Sequence, residues 1–595
     1  MDFKARIRRE LKFLRGLVRT LIRVASIAPE STRLICDDLE AAIDTWRTRP
    51  AISFEERTIT YGELDAIANR YAHWAMGQGI RRGHTVALVA PNRIDYLAIW
   101  YGLSKVGVAT ALINNNLTGA SLAHCLALSG AAHAIADAET EAALESVNVT
   151  LERPMTLWTL GEARGETRDL SQALKSCSAL RPDRSMREDL RAKDVALYIY
   201  TSGTTGLPKA AKISHMRAQL YMRGFAGATD ARASDRIYVA LPLYHATGGL
   251  CGMGAALLNG GSVALKSRFS ASHFWNDVAA EGCTMFVYIG ELCRYLTNQP
   301  PQAGETSHRL RLAFGNGLRP EVWATLQSRF NVQNVLEFYG STEGNVSLFN
   351  FDGKVGAVGR IPAYLRSRFN VRLVRFDVES NQVVRDLRGY CAETEPGEIG
   401  ECVGQIRADA RSDYSGYVDK AASDSKVLRN VFKAGDAWFA TGDLMRQDED
   451  RYFYFVDRIG DTFRWKGENV STSEVEQALA GMAEVTEVNV YGVKVGDLDG
   501  RAGMASLVVT DKFDMKAFAE AVDAALPPYA RPVFVRLQPE IATTGTFKHR
   551  KVDLVAEGFD PGRIGEPLFV RAGAEGYEPI TAALFAEIEA GEVRL

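Results

Sequence analysis

Eleven residues, Tyr200-Thr201-Ser202-Gly203-Thr204-Thr205-Gly206-Leu207-Pro208-Lys209-Ala210, combine glycines, hydroxyl side chains and a lysine. Such a string suits the holding of phosphate. Glycines let backbone N–H groups converge on an anion, while the Ser and Thr hydroxyls add further donors around its oxygens. The spacing is not that of the common nucleotide P-loop, which occurs nowhere in the chain. A second string, Phe338-Tyr339-Gly340-Ser341-Thr342-Glu343-Gly344-Asn345, sets an aromatic face, hydroxyls and a carboxylate close together. A hard oxygen ligand beside phosphate is what Mg²⁺ requires, although standing alone Glu343 reads more readily as a helix-capping or solvated acid. Gly315-Asn316-Gly317 is a glycine turn where backbone can approach a flat ring closely.

These residues need a scaffold, and the surrounding pattern supplies one. Val195 to Ile199 is an apolar, β-rich run leading into the first string. Between about 50 and 150 short apolar strands (Thr85 to Ala90, Thr110 to Ile113, Ala132 to Ala136) alternate with helical stretches, one at about 95–106. Strands alternating with helices predict parallel sheet with helices on its faces. From about 370 to 456 the reading shifts to shorter β segments. Beyond the charged turn Asp457-Arg458-Ile459-Gly460-Asp461 comes a compact α+β pattern, with helices at Ser473–Ala480 and Met515–Ala525. The fold class expected is α/β: a large domain of mixed, mainly parallel sheets with a β-rich subdomain, and a small α+β C-terminal domain. The boundaries expected are a helix over 1–27, a large domain over 28–456, a joining turn at 457–461 and a small domain over 462–595.

Composition agrees with a large enzyme: 595 residues, 46% hydrophobic and 24% charged. A net charge of −3, without a basic stripe interleaved with aromatics in the body, carries no nucleic-acid signature. Eight scattered cysteines without CxxC pairs argue against a disulfide framework or a structural zinc site. The amino terminus departs from this balance. Residues 1–23 hold eight Lys or Arg against two acids, giving that segment +6 and leaving −9 for the rest. Its apolar residues Phe3, Ile7, Leu11, Leu14, Val18, Leu21 and Ile22 recur with a helical period. No apolar run is long enough to span a bilayer. The segment therefore reads as an interfacial helix on an anionic membrane surface, with a helix docked on its own protein as the alternative.

The strings together, in this order, resemble the adenylate-forming superfamily, which contains the acyl-CoA synthetases. The resemblance adds Thr441-Gly442-Asp443 and the basic loop Gly545-Thr546-Phe547-Lys548-His549-Arg550-Lys551. Asp457 to Glu476 and Tyr288 to Leu296 further resemble the fatty acid transport protein and very-long-chain acyl-CoA synthetase branch, over about residues 50 to 570. The resemblance implies that Thr201, Ser202, Gly203, Thr204, Thr205, Gly206 and Lys209 cradle the ATP phosphates. It likewise implies that Gly315, Asn316, Gly317, Tyr339, Gly340 and Ser341 hold adenine and its surroundings. Thr342 would touch the α-phosphate, Glu343 with Thr201 would hold Mg²⁺, and Asp443 assisted by Arg458 would bind the ribose. Lys548 is the implied catalytic lysine, with Lys551 and Leu554 at the family's three-residue steps; Phe547 stands where most relatives have glycine. His245 would line the carboxylate entrance, and Gly467 would leave room for the pantetheine of coenzyme A. Gly460 stands at a hinge position that is Asp or Lys in many relatives.

What this implies is a ligase joining a long-chain or very-long-chain fatty acid to CoA, with ATP consumed to AMP and pyrophosphate, at the cytoplasmic face of a membrane. Uptake of fatty acid would then follow from trapping it as acyl-CoA. Alternatives of the same chemistry are loading of a carrier protein in trans and ligation of another bulky carboxylate such as a bile acid.

Overall fold

The computed structural model describes residues 3–201, 207–302, 304–378, 380–466, 468–482, 484–496, 498, 500–541, 551–571, 576–593 and 595. The chain divides into two compact units, Met1–Ile361 with Gly404–Leu428, and Pro362–Val403 with Arg429–Leu595. The stretch 457–461 falls inside the second of them.

In the first unit helix α1 spans Phe3–Val24. The phosphate string is flanked by strands β1 (Val195–Thr201) and β2 (Lys209–Ser214), and helix α2 (His215–Ala228) follows at once. Ser214 ends the strand and caps the helix, its hydroxyl accepting the Arg217 N–H at 3.2 Å, so the turn from sheet to helix is set by one residue. β1 and β2 form the antiparallel edge of a seven-stranded sheet whose remaining strands, in spatial order Arg168–Asp169, Thr156–Thr159, His133–Ala136, Thr85–Val89 and Ala109–Leu112, run parallel to β1. A second, eight-stranded sheet contains, in spatial order and all parallel, Arg236–Val239, Met285–Ile289, β3 (Leu312–Asn316) and β4 (Val335–Gly340). Its interior strands are buried on both faces, which is why they read as continuous apolar runs. The expected parallel sheets are thus present, and the helix expected at about 95–106 spans Ile94–Lys105.

In the second unit β5 (Ala437–Gln447) pairs antiparallel with β6 (Tyr452–Arg458). A short hairpin, β7 (Phe463–Trp465) and β8 (Glu468–Val470), leads to helix α3 (Thr472–Ala480). A five-stranded sheet built on Val485–Val493 and Ala502–Val509 completes this part, with the helix at Met515–Ala525 as expected and helix α4 at Lys551–Glu557. Leu479, Val490, Leu507, Phe534 and Val570 form the centre of its core.

Helix α1 docks on its own protein along one face and leaves another exposed. Phe13, Gly16, Thr20 and Val24 are buried as α1 packs along α2. Phe13 meets Phe351 edge-on at 5.9 Å, the Arg360 guanidinium lies over the Phe13 ring at 4.8 Å, and Arg360 Nη1 donates to Glu10 Oε1 at 2.7 Å. Phe3, Ile7, Leu11, Val18 and Ile22 remain exposed. At 100° per residue these five fall in one sector, with Lys4, Arg8, Lys12, Arg15, Arg19 and Arg23 in the next. No helix among the described residues is long and apolar enough to cross a membrane.

Candidate active site

The parallel strands of the eight-stranded sheet end on one edge, the place where open α/β sheets bind ligands. β3 delivers Gly315 and Asn316 there and β4 delivers Tyr339 and Gly340. A Cβ on Gly315 would sit 2.1 Å from the Tyr288 carbonyl oxygen, so this strand end admits no side chain. Glu337, opposite Gly315 in the ladder, is buried beneath the turn. Its carboxyl accepts the Tyr288 hydroxyl at 2.5 Å and the Leu318 N–H at 3.0 Å. Burial pushes its pKa up to about 8, against the opposing pull of those donors and of the Gly317 N–H.

The segment after β4 is clamped from α2. Arg217 Nη2 donates to the carbonyls of Ser341 at 3.0 Å and Thr342 at 3.2 Å, and the Tyr221 hydroxyl donates to Ser341 at 3.1 Å. Because α2 begins where β2 ends, one helix fixes Thr342 relative to the phosphate hairpin. In that hairpin Thr201 and Lys209 stand directly opposite each other. Residues 202–206, expected to cradle phosphate, lie outside the described residues.

A tyrosine connects hairpin and acid. Tyr417, almost fully buried, donates its hydroxyl to Glu343 Oε1 at 2.7 Å, and the Lys209 ammonium lies 5.7 Å from its ring centroid. Burial, and then the neighbouring Glu343 carboxylate, push the Tyr417 phenol above its usual range, so it stays a donor. Its backbone bridges to Ala211 of β2, and Asn345 Nδ2 secures the same stretch by donating to Ser412 O at 2.9 Å and Gln405 O at 3.0 Å. Arg217, Tyr221, Tyr417 and Glu337 escaped the sequence reading. Only Glu337, two residues before Tyr339, lay beside a recognised string.

His245 sits on the loop after Arg236–Val239, half-buried, its ring 4.5 Å from that of Tyr244. The chain then turns into the helical segment Thr247–Gly252. In the second unit Asp443 and Arg458 are ladder partners on β5 and β6, with Arg458 Nε 4.0 Å from Asp443 Oδ1. Gly467, between β7 and β8, and Lys548, just before α4, lie outside the described residues. Lys551 is described, and it is engaged: its ammonium donates to Thr472 Oγ1 at 2.8 Å and stands 3.3 Å from Glu476 and 3.6 Å from Asp461.

The edge suits a nucleotide. Asn316 Oδ1 and Ser341 Oγ, at the ends of β3 and β4, are buried without a hydrogen-bond partner in the structure, an expensive state that a polar ligand would relieve. Glu343 carries a hard carboxylate of the kind that can hold Mg²⁺ beside phosphates.

Fold and site define an adenylate-forming enzyme. The family model for AMP-binding enzymes matches residues 39–402, and that for the AMP-binding enzyme C-terminal domain matches 474–548. Mouse long-chain fatty acid transport protein 6 is 40% identical over 91% of this chain and 88% of its own length. Human long-chain fatty acid transport protein 1 is 41% identical over 90% of this chain and 84% of its own. Among solved structures, ATP-bound MatB from Rhodopseudomonas palustris superposes with a TM-score of 0.73 at 23% identity, covering 88% of this chain and 98% of that one. The chain belongs to the AMP-binding enzyme family, in the branch of the long-chain fatty acid transport proteins.

Proposed function

We propose that this protein is an ATP-dependent ligase that joins long-chain or very-long-chain fatty acids to coenzyme A. The observation that carries the reading is the connection from Lys209 through Tyr417 to Glu343, which ties a phosphate-holding hairpin to a carboxylate suited to Mg²⁺. The similarity to long-chain fatty acid transport proteins supports the choice of acid.

The fatty carboxylate attacks the α-phosphorus of ATP, the bond to the β-phosphate breaks, and pyrophosphate leaves. Catalysis of this step is positioning and charge neutralisation. Thr201 to Lys209 hold the departing phosphates, Thr342 holds the α-phosphate, and Asp443 with Arg458 takes the ribose. Mg²⁺, held by Glu343 with Thr201, would neutralise charge between the phosphates. Lys548 serves the acid and α-phosphate in this step, and His245 lines the entrance. The CoA thiolate then attacks the acyl carbonyl, AMP departs, and the thioester remains. For this second step the small domain, residues 462–595, turns about 457–461, which removes Lys548 and brings the Gly467 strand with its room for pantetheine. A panel of fatty acids of graded length, with a bile acid and a carrier protein, tests the reading by AMP and thioester formation. Thioester from long fatty acids supports it; turnover confined to the bile acid or the carrier protein overturns it.

The exposed ridge of α1, with its basic flank, rests on the anionic cytoplasmic surface of a membrane. Deleting the helix would also strip α2 of its packing, so the test leaves the docking face intact. Phe3→Ser, Ile7→Ser and Ile22→Ser combined should release the protein from phosphatidylserine-containing vesicles while CoA ligation of a soluble acid persists. Unchanged sedimentation with the vesicles rejects this role.

A further inference from the structure

Around Gly460 the second unit contains a set of contacts that belongs to neither substrate site. Asp457 precedes this glycine, on β6, and its carboxylate is almost fully buried. Among the described residues, apart from its neighbour Arg458, whose N–H donates at 2.9 Å, the donors to Asp457 come from beyond Gly460. Thr472 donates through its backbone N–H at 2.7 Å and its hydroxyl at 3.1 Å, Thr462 Oγ1 donates at 3.1 Å, and Ser473 Oγ donates at 3.3 Å. Asp457 thereby seats on the first turn of α3, where unpaired N–H groups and the helix dipole favour an anion. The Thr472 hydroxyl faces two ways, because its oxygen accepts from the Lys551 ammonium at 2.8 Å. Lys551 begins α4, three positions after Lys548 in sequence, and it also pairs with Asp461 and Glu476. Glu476 is fixed in turn by accepting the Val490 N–H at 3.0 Å.

Gly460 has φ +96°, and an added Cβ there would meet nothing within 4 Å. No atom crowds this glycine, and the chain on either side of it is tied together by the turn bonds from the Asp461 and Thr462 N–H groups to Arg458 O, at 3.1 and 3.3 Å, and by the bonds that Asp457 receives across it. We propose that Asp457, Thr472 and Lys551 form a latch across the hinge, holding the arrangement seen here, and that the latch must open when the chain changes between its two half-reactions. Lys551 is on this view a positioning residue. The proposal rests on the two-step reading given above and adds what sets the balance between the steps. Burial raises the Asp457 pKa while Lys551 opposes the shift, and on Lys551 the attraction of Glu476, Asp461 and Asp457 outweighs the effect of burial.

The test uses the full chain and three substitutions, Asp457→Asn, Lys551→Met and Thr472→Val, with Thr472→Ser as the variant that restores the hydroxyl. Amide hydrogen exchange over residues 458–473, read without substrates, should rise at least about tenfold in each of the first three, as expected for loss of a charge-assisted buried hydrogen bond, and return in Thr472→Ser. The ratio of pyrophosphate release from ATP and fatty acid to thioester formation from supplied acyl-adenylate should shift in one direction in all three. The Asp457→Asn/Lys551→Met double variant should shift it by less than the product of the singles. Unchanged exchange, shifts of opposite sign, or simple multiplication overturns the latch. Loss of pyrophosphate release in Lys551→Met alone, with Asp457→Asn and Thr472→Val as wild type, overturns it also and makes Lys551 the catalytic lysine. If the wild-type chain makes no acyl-adenylate, the proposed activity fails and the exchange data still judge the latch. A variant that does not fold is replaced in the comparison by the Thr472 pair, which alters a single hydroxyl.

Discussion

The sheet edge of the first unit and the end of β6 in the second each contain an acid paired with a hydroxyl, and the two are treated in opposite ways. Glu343 is half-buried and receives the Tyr417 hydroxyl on one oxygen, from a residue that also lies beneath Lys209. Asp457 is surrounded by donors on both oxygens and nearly sealed from solvent. An acid meant for a metal must keep lone pairs within reach of a ligand, whereas one meant to hold backbone together uses them all. Partner number and burial, more than residue type, separate the chemical carboxylate from the mechanical one.

The contrast is broken most severely at Glu343. Glu343→Ala should lower kcat/KM for adenylate formation by about 10²- to 10³-fold, the scale of losing one preorganised charge-stabilising group. Thioester formation from supplied acyl-adenylate should change far less. Equal loss in both steps would place Glu343 with Asp457 as a structural acid. Tyr417→Phe sharpens the same comparison with a smaller effect. It leaves the ring beneath Lys209 and removes the hydroxyl that orients Glu343, so the Mg²⁺ concentration for half-maximal pyrophosphate release should rise about tenfold, as for other groups that orient a metal ligand. An unchanged Mg²⁺ dependence would show that Glu343 needs no such support.

Much of the scaffold for these acids could be read from the chain, because buried parallel strands announce themselves as apolar runs and Gly/Thr-rich turns punctuate them. Thr85–Val89, β1 and Met515–Ala525 are examples. The supporting side chains could not be read in this way. Tyr417 reaches Glu343 across 74 positions of sequence, and nothing local marks it over Tyr414. Arg217 and Tyr221 lie on a helix whose weak amphipathic pattern reports burial and not the carbonyls they bind. In α1 the hydropathy pattern picks out the exposed ridge, while the docking face is the mixed set Phe13, Gly16, Thr20 and Val24. Its burial depends on the small residues that let helices approach and on Arg360. Nothing in the sequence around Lys551 marks its contacts with Thr472 and Glu476, 79 and 75 positions away.

Glu337 gives the gentlest test, because it is an acid of the first unit that is enclosed like Asp457. Its partners come from the strand Met285–Ile289, through Tyr288, and from the turn after β3, through the Leu318 and Gly317 N–H groups, and Glu337 in turn helps to raise the pKa of the buried Cys293 thiol. With a pKa of about 8 in the fold against 4.5 ordinarily, Glu337 retains its proton over a range where the unfolded chain has lost it. The folded state then binds more protons than the unfolded one between about 4.5 and 8, so stability from this group is greatest below that window. It declines as pH rises through the window and levels off above it. Glu337→Gln keeps the shape and cannot ionise, so its urea midpoint should fall less than that of the wild type between pH 5 and about 8, with the two closest at the acid end. KM for ATP in the variant should also stay flatter with pH, because the Gly315–Leu318 turn rests on this carboxyl. Parallel midpoint curves for the two proteins would mean that Glu337 is ionised in the fold across this range, like an acid with donors enough to bear its charge.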